Sequence, residues 1–342
     1  MEISMKTGGY KPVVGFLSYM AAQRNVEYPI SSPYGRRLLA DAGYRFGLGE
    51  ARDFWDTENA ETAYNTLRQF DVVFLDNPFD ESINSIDPVK AAAAREGLER
   101  YLNDGGNAIL LLQSTRYRSV DQEYSNEVYA GLGVQMLREG VFDETTQFTA
   151  RLSDLEHFTH TSFFTTDAIY EHPFFKGVKN LCFPKYFEHM TPGALAAAYD
   201  HNWTILAYGG PGSRSYGEID KELDTNIPGS YGGGEAPLAA VREYGAGLVM
   251  AVSVQARNTF MNYGKAAWNN IVELTGNASS GIPSDNTRLM MNAITFMTEN
   301  SANHPKVGTF DFRDTGPVRF PAKWLAGEPK LPNRIPRGKG WG

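Results

Sequence analysis

Polar side chains that could take part in chemistry follow four short apolar runs of the sequence. The run from Ala108 to Leu112, for example, leads directly into polar residues, as a buried strand does when it delivers side chains to a site. Open α/β sheets bind their ligands outside the carboxyl ends of the strands. The predicted ligand-binding set therefore consists of the residues that follow these runs: Tyr19, Asp76, Asn77, Ser114, Arg116, Gln255, Arg257 and Asn258.

Ser114 stands where several α/β families carry a nucleophile. A serine nucleophile needs a base within about 3 Å and an oxyanion hole. The chain has six histidines, but no spacing joins one of them to Ser114. A strand-end serine more often caps a helix or binds backbone, so we assign no catalytic residue. Arg116 and Arg257 suit an anionic or polyhydroxylated ligand, because their planar guanidinium groups bind oxygens in pairs.

A histidine-rich stretch between residues 156 and 189 is the candidate for a metal site. His157 and His160 stand three residues apart, and carboxylates accompany the stretch at Glu156, Glu171 and Glu188. The H-x-x-H spacing is weak, however, and aromatic neighbours favour structural histidines. We predict no metal and no cofactor. The glycine runs at 209–212 and 232–234 lack the helix and lysine of a phosphate loop, which favours turns.

Alternating strands and helices would position the predicted set. Pro88 to Asn103 is the clearest helix, since proline suits its first turn, alanines favour helix, and Gly105-Gly106 ends it. This alternation indicates an α/β fold with a mainly parallel sheet and helices on both faces. The predicted strands are 11–19, 71–76, 108–112 and 248–254, and the other predicted helices are 34–43, 56–70 and 285–299.

The segment from about residue 120 to 235 has a less regular pattern, and we expect it to be an irregular insertion. Residues 126–132 and 192–198 are predicted helices, and residues 203–208 are a predicted strand. Residues 213–235 hold many glycine, serine and aspartate residues and are predicted to form a long loop.

Composition excludes some classes of function. The net charge is −8 and the pI about 5.4, which argues against general nucleic-acid binding. No apolar run reaches the roughly 18 residues of a membrane helix, so we expect no membrane span. Cys182 is the single cysteine, so the chain cannot form an internal disulfide. The compartment stays open: cytoplasmic if residue 1 is the native start, periplasmic or secreted if a leader was removed.

Residues 301 to 342 are predicted to be an extended, proline-rich docking tail. Five prolines from Pro317 onward exclude a helix or a central strand. Residues 313–342 carry seven basic and two acidic side chains, and aromatic residues are spread along the segment. Spaced aromatic side chains suit docking into pockets. We expect the tail to bind a protein partner or another copy of the chain, or to wrap around its own domain.

Three segments together resemble the class I glutamine amidotransferase-like superfamily. They are DVVFLDNP with LERYLNDGGNAILLL, then PLAAVREYGAGLVMAVSV, and finally TRLMMNAITFM. The resemblance is to the divergent subgroup that includes ThuA-like proteins and lacks the glutaminase site. It implies a flavodoxin-like α/β domain over residues 10–300, with the insertion at about 120–235.

The family resemblance also bears on chemistry. In the glutaminase members a cysteine occupies a tight strand-to-helix bend flanked by small residues. Here Gln113, Ser114 and Thr115 occupy the matching place, and Cys182 lies in a different segment. The resemblance therefore implies that glutaminase activity is absent. We expect a non-catalytic binding or assembly subunit with a possible polar or anionic small ligand; the alternative is a hydrolase or isomerase acting on a carbohydrate-like substrate in the strand-end cleft.

Overall fold

A computed structural model describes most of the chain. The described residues are 11–19, 21, 30–31, 33–76, 78, 87–113, 119–151, 160–184, 186–187, 191–192, 194–219, 222–254, 264–266, 269–271 and 285–300. The helices are α1 (Pro33–Asp41), α2 (Ala51–Trp55), α3 (Ala60–Leu67), α4 (Pro88–Asn103), α5 (Ser119–Tyr129) and α6 (Asn286–Asn300), with short 3-10 helices at Ala130–Leu132 and Pro173–Phe175.

The strands of the first half are β1 (Val13–Leu17), β2 (Arg45–Leu48), β3 (Val72–Leu75), β4 (Asn107–Leu111), β5 (Val134–Asp143), β6 (Phe148–Arg151) and β7 (His160–Thr166). The others are β8 (Leu181–Pro184), β9 (Tyr186–Phe187), β10 (Thr191–Pro192), β11 (Leu195–Tyr199), β12 (Thr204–Tyr208), β13 (Ser213–Ile219), β14 (Glu222–Pro228), β15 (Pro237–Tyr244), β16 (Gly247–Val252), β17 (Gly264–Ala266) and β18 (Asn269–Ile271).

A seven-stranded mixed sheet forms the centre of the fold, in the order β12-β15-β16-β4-β3-β1-β2. The five strands from β16 to β2 are parallel, and β15 is antiparallel to both of its neighbours. The prediction of an α/β fold with a mainly parallel central sheet is confirmed. Since β12 is antiparallel to β15, it runs in the same direction as the parallel strands.

Two apolar cores cover the two faces of this sheet. Alternate strand residues point to opposite sides: Val73 and Leu75 pack against α2 to α5, whereas Val72 and Phe74 pack on the side of α1 and α6. The second side also receives Phe142, Phe164 and other side chains of the inserted strands. Both faces are dry, which is why the parallel strands read as continuous apolar runs.

Side-chain hydrogen bonds and a glycine fix the ends of α4 and the start of β4. The Asp87 side chain accepts hydrogen bonds from the amides of Val89 and Lys90 and so caps α4, and Gly105 has a φ of 93° just beyond the helix end. Asn107, at the start of β4, donates to the carbonyls of Asp71 and Met297 and accepts from the amide of Leu248. One buried amide therefore joins β3, β4, β16 and the end of α6.

The insertion is largely an ordered antiparallel β structure, which corrects two predictions. Residues 192–198 are not a helix, because β11 spans Leu195–Tyr199 and pairs with β5. The alanines of β11 favour a helix in isolation, but strand pairing and burial on both faces override that preference. Residues 213–235 are not a long loop either, since β13 and β14 form a hairpin that extends the β11-β5-β13-β14 sheet.

Other predictions for this region hold in part. The predicted helix at 126–132 corresponds to the end of α5 and a following 3-10 turn, and the predicted strand at 203–208 is β12. Pro237–Tyr244 form β15. No helix among the described residues is both long and apolar enough to cross a membrane. The predicted tail, residues 301–342, lies outside the described residues.

Candidate functional site at the carboxyl edge of the sheet

The carboxyl edge of the central sheet is the candidate functional site. Strand β1 connects through α1 to β2 on one side, while β3 lies on the other side of β1. Chain connections that diverge in this way leave a crevice at the strand ends, where open α/β sheets bind ligands. The residues that follow β1 and β3 are Ser18 and Asp76, so these two side chains flank the crevice.

Ser18 and Asp76 form a buried pair. The Ser18 hydroxyl donates a hydrogen bond of 2.6 Å to Oδ2 of Asp76, and the two residues are 0% and 3% exposed. Ser18 Oγ also accepts from the amide of Ala21 at 3.4 Å. The hydroxyl thus bridges a carboxylate and a backbone amide. Such an arrangement fixes the ends of β1 and β3 together and leaves Ser18 Oγ inaccessible to a substrate.

Tyr19 and Arg52 lie beside this pair. Arg52 Nη2 donates a hydrogen bond of 2.9 Å to the Tyr19 hydroxyl, and the guanidinium carbon lies 5.5 Å from the centre of the Tyr19 ring. Tyr19 is largely buried, whereas Arg52, near the start of α2, is exposed. The guanidinium group is therefore held at the edge of the crevice, where it could attract a negatively charged group of a ligand.

Tyr129, the last residue of α5, is buried within reach of the charge of Asp76. Its ring lies against Trp55 in an edge-to-face contact, and its hydroxyl has no hydrogen-bond partner among the described residues. Burial raises the pKa of the Tyr129 hydroxyl, and the negative charge of Asp76 raises it further. Tyr129 therefore keeps its proton at neutral pH and can only act as a neutral hydrogen-bond donor or acceptor.

The structure brings together only part of the predicted set. Tyr19 and Asp76 both lie at the carboxyl edge, as expected, and Gln113 follows β4 at the same edge. The other six residues lie outside the described part of the chain: Asn77, Ser114, Arg116, Gln255, Arg257 and Asn258. Their role stays a prediction.

Cys182 does not have the environment of a nucleophile. It is fully buried in β8, and both of its backbone groups bind the side-chain amide of Asn286. Burial raises the pKa of the Cys182 thiol, which keeps the sulfur protonated and unreactive. The Cys182 sulfur therefore lacks both the accessibility and the charge of a nucleophilic thiolate.

His172 has a structural contact within the described residues. Its Nδ1 accepts a hydrogen bond of 3.2 Å from the amide of Phe174, and its ring packs on that of Phe174. Burial lowers the pKa of His172. Among the described residues no cluster of three histidine, cysteine or acidic side chains could hold a metal. His157 and His189, which the sequence also offered, lie outside the described residues.

A cleft lined by tyrosines lies at the β12 end of the same edge, and sequence reasoning missed it. Its volume is about 570 Å³, and Tyr170, Tyr208, Tyr231 and Glu235 line it with several glycines and two prolines. Tyr208 is the last residue of β12 and pairs with Pro237, the first residue of β15. The signal for this cleft was the glycine runs on either side of it, whose turns bring the rings together.

The chain matches no protein-family model and no curated protein at a significant level. Solved structures similar to it include the mmIFT52 N-terminal domain, with 13% identity, 84% of this chain and 97% of that chain covered, and a TM-score of 0.46. A ThuA-like protein from Bacteroides uniformis ATCC 8492 has 12% identity, covers 84% and 91%, and has a TM-score of 0.40. Cytoplasmic protein STM3548 from Salmonella typhimurium has 13% identity, covers 83% and 98%, and has a TM-score of 0.38. All three TM-scores are below 0.5, and the likenesses indicate no function for this chain.

Proposed function

We propose that this protein is a non-catalytic binding subunit, built on an amidotransferase-like domain, which holds a polar or anionic ligand at the carboxyl edge of its central sheet. When the five parallel strands are numbered in chain order, they lie across the sheet in the order 2-1-3-4-5. That order supports a flavodoxin-like assignment, in which the ligand crevice lies between the first and third strands. Ser18 and Asp76 occupy this position.

The observation that carries the proposal is that Ser18 and Asp76 are both buried and hydrogen-bonded to each other. A serine or cysteine hydrolase needs a nucleophile whose reactive atom faces the substrate. Ser114, the other candidate, lies outside the described residues. The buried Ser18 hydroxyl donates its hydrogen bond to Asp76, and Cys182, the single cysteine, is buried in β8. The groups beside the Ser18–Asp76 pair are instead of the kind that binds: the exposed guanidinium of Arg52 and the largely buried Tyr19 hydroxyl that it contacts.

Binding and turnover can be measured on the same preparation of the full chain. Ammonia release from glutamine and hydrolysis of chromogenic esters and glycosides should stay at the buffer blank. Inorganic phosphate, sulfate and small carboxylates should raise the melting temperature in a saturable way, since a ligand at 100 times its Kd adds about 2.7 kcal/mol of stability.

Variants assign the effect to the crevice. Arg52→Gln, Arg116→Gln and Arg257→Gln should each weaken the stabilisation by anions, because a charge-assisted hydrogen bond is lost. Arg37→Gln is the matched control, since Arg37 is an exposed arginine on α1 whose partner is Asp41. Turnover that disappears in a folded Asp76→Asn variant would instead favour the hydrolase or isomerase. Stabilisation that is equal in all variants would place the ligand elsewhere.

A further inference from the structure

The tyrosine cleft has the features of a site for an extended proline-rich peptide. Aromatic rings that form the walls of a groove bind the polyproline II helix, because its rigid pyrrolidine rings fit between them without a large loss of entropy. Tyr170 and Tyr208 pack edge to face, with ring centres 5.7 Å apart and planes inclined by 70°, and together form one aromatic wall of the cleft. Tyr231 lines the same cleft. Pro211 and Pro237 add apolar surface to the same cleft.

Tyr170 is unusually exposed for an aromatic side chain. It is 57% exposed, while its backbone is firmly held beside β12: its amide donates to the carbonyl of Leu206, and the amide of Tyr208 donates to the carbonyl of Ala168. An exposed aromatic ring on a fixed backbone offers apolar contact surface with little cost in ordering when a ligand binds. The position of this ring is thus set before a ligand arrives.

Tyr231 and its turn are also fixed in advance. The Tyr231 hydroxyl donates to the carbonyl of Ala197 at 2.9 Å, and its backbone exchanges hydrogen bonds with Ser215. The turn that follows contains Gly233 and Gly234 at positive φ, 59° and 87°, a conformation that favours glycine. This turn delivers the exposed carboxylate of Glu235 to the cleft.

Glu235 gives the cleft a preference for basic peptides. It is the acidic side chain that lines the cleft, and among the described residues no lysine or arginine lines it. Proline-rich ligands that carry a basic residue next to their prolines combine ring packing with an ion pair. The chain itself contains such a sequence: PKLPNRIPRGK, residues 329–339, has three prolines, four basic residues and no acidic residue.

The C-terminal segment is long enough to reach the cleft of its own molecule. The end of α6 is fixed near the amino edge of the sheet, because the carbonyl of Met297 accepts from Asn107. From that point to the β12 end of the carboxyl edge is roughly 25 Å, given the spacing of strands and residues in a sheet. The residues between Asn300 and Pro329 could span up to about 95 Å when extended.

We propose that residues 329–339 of this chain dock in the tyrosine cleft of the same molecule, with their prolines against the aromatic wall formed by Tyr170 and Tyr208 and a basic side chain on Glu235. This inference stands apart from the proposed function, since the cleft can hold the segment whether or not the crevice at Ser18 and Asp76 binds a ligand. The docked segment would cover the exposed ring of Tyr170.

Limited trypsin digestion of the full chain tests this directly. The bond after Arg334 lies within the docked segment, and the bond after Arg319 lies outside it and serves as the internal reference. Cleavage after Arg334 should be slower than cleavage after Arg319 in the wild type. It should accelerate about 10-fold in Tyr170→Ala and in Glu235→Lys, as expected when a central contact of a peptide site is lost.

Two matched controls separate docking from folding. Val89→Ala removes another exposed apolar side chain, 56% exposed on α4, and Glu243→Lys reverses an exposed carboxylate at the opposite end of β15. Neither substitution should change the ratio of the cleavage rate after Arg334 to the cleavage rate after Arg319. A synthetic peptide of residues 327–342 should accelerate cleavage after Arg334, and the same peptide with alanine in place of its three prolines should not.

Three results would overturn the inference. Equal cleavage rates after Arg334 and Arg319 in the wild type would show that the segment is not held. Protection that increases with protein concentration would show that the segment occupies the cleft of a second copy. A Tyr170→Ala variant that melts at the wild-type temperature and keeps wild-type protection would contradict the assigned cleft.

Discussion

At the residue scale, the central feature is the hydrogen bond between Ser18 and Asp76, which joins two strand ends. Replacing Ser18 by alanine leaves a buried carboxylate with one donor fewer, and a loss of this kind costs about 1–3 kcal/mol. Urea unfolding monitored by circular dichroism measures the free energy of unfolding. We expect Ser18→Ala to lose stability in this range.

Ser125→Ala provides the control for that measurement. Ser125 is also fully buried, but its hydroxyl donates to the carbonyl of Asp121 in its own helix, so its loss leaves no charged group without a donor. Its effect should be smaller than that of Ser18→Ala. If the two variants lost equal free energy of unfolding, the hydrogen bond to Asp76 would stabilise the fold no more than an ordinary buried hydroxyl contact does.

A second prediction at this scale concerns the pH dependence of stability through His172. Burial lowers the pKa of His172 in the folded state below the ordinary histidine value of about 6.5. As the pH falls through that value, the unfolded state binds the proton first, so the free energy of unfolding decreases. Protonation would also remove the acceptor for the amide of Phe174.

The melting temperature measured between pH 5 and 7.5 tests this sign. His172→Asn keeps a side-chain acceptor next to the 3-10 helix and removes the titrating group, so its melting temperature should depend less on pH than that of the wild type. His201→Asn is the control, because His201 lies on an exposed turn. If the melting temperatures of the wild type and His172→Asn changed equally with pH, the prediction would be contradicted.

The site residues could be predicted from sequence only where they follow strong apolar runs. Tyr19 and Asp76 follow β1 and β3, whose buried residues are recognisable as strands. Arg52 could not be found in this way, because its place beside Tyr19 depends on how α2 packs. Tyr208 and Tyr231 end or follow elements whose pairing is set by distant strands, so no local pattern marks them as neighbours.

At the scale of elements, α3 and α4 pack so closely that Gly97 is required. A Cβ atom at Gly97 would lie 2.6 Å from the Cβ of Ala63 and 2.8 Å from the amide nitrogen of Tyr64. Helix propensity alone would make Gly97→Ala stabilising by about 1 kcal/mol. Because the obstructing atoms belong to a helix backbone, we expect a net loss of about 1–3 kcal/mol instead.

The same unfolding measurement applies to this pair of helices. Glu96→Ala, on the exposed side of α4, is the neighbouring control and should change stability by less than about 0.5 kcal/mol. A Gly97→Ala variant more stable than the wild type would show that α3 and α4 can separate without cost.

Elements were predictable from sequence where local preference and tertiary structure agree. The bounds of α4 match the prediction because proline, alanines, an aspartate cap and a glycine stop all favour the same helix. β11 and the β13–β14 hairpin differ from prediction because alanine and glycine carry little strand preference. Pairing with β5 decides the structure of these residues, and that pairing joins residues 55 to 78 positions apart in the chain.

At the scale of the whole molecule, deletion of the C-terminal segment separates docking within one molecule from joining of subunits. If residues 329–339 dock in their own cleft, deleting residues 310–342 should leave the mass measured by light scattering unchanged and lower the melting temperature. The loss arises because the ring of Tyr170 becomes uncovered. A smaller assembly after deletion would show instead that the tail joins subunits, and an unchanged melting temperature would show that it is free.

The central claim is that the carboxyl edge binds without covalent chemistry. It is tested most directly by incubating the native full chain with a fluorophosphonate that labels activated serines, followed by intact mass spectrometry and peptide mapping. A serine hydrolase labelled in the same tube shows that the reagent is active. The account predicts no adduct on Ser18 or Ser114 at stoichiometric level. A mapped adduct on either serine that is lost in a folded Asp76→Asn variant would contradict it.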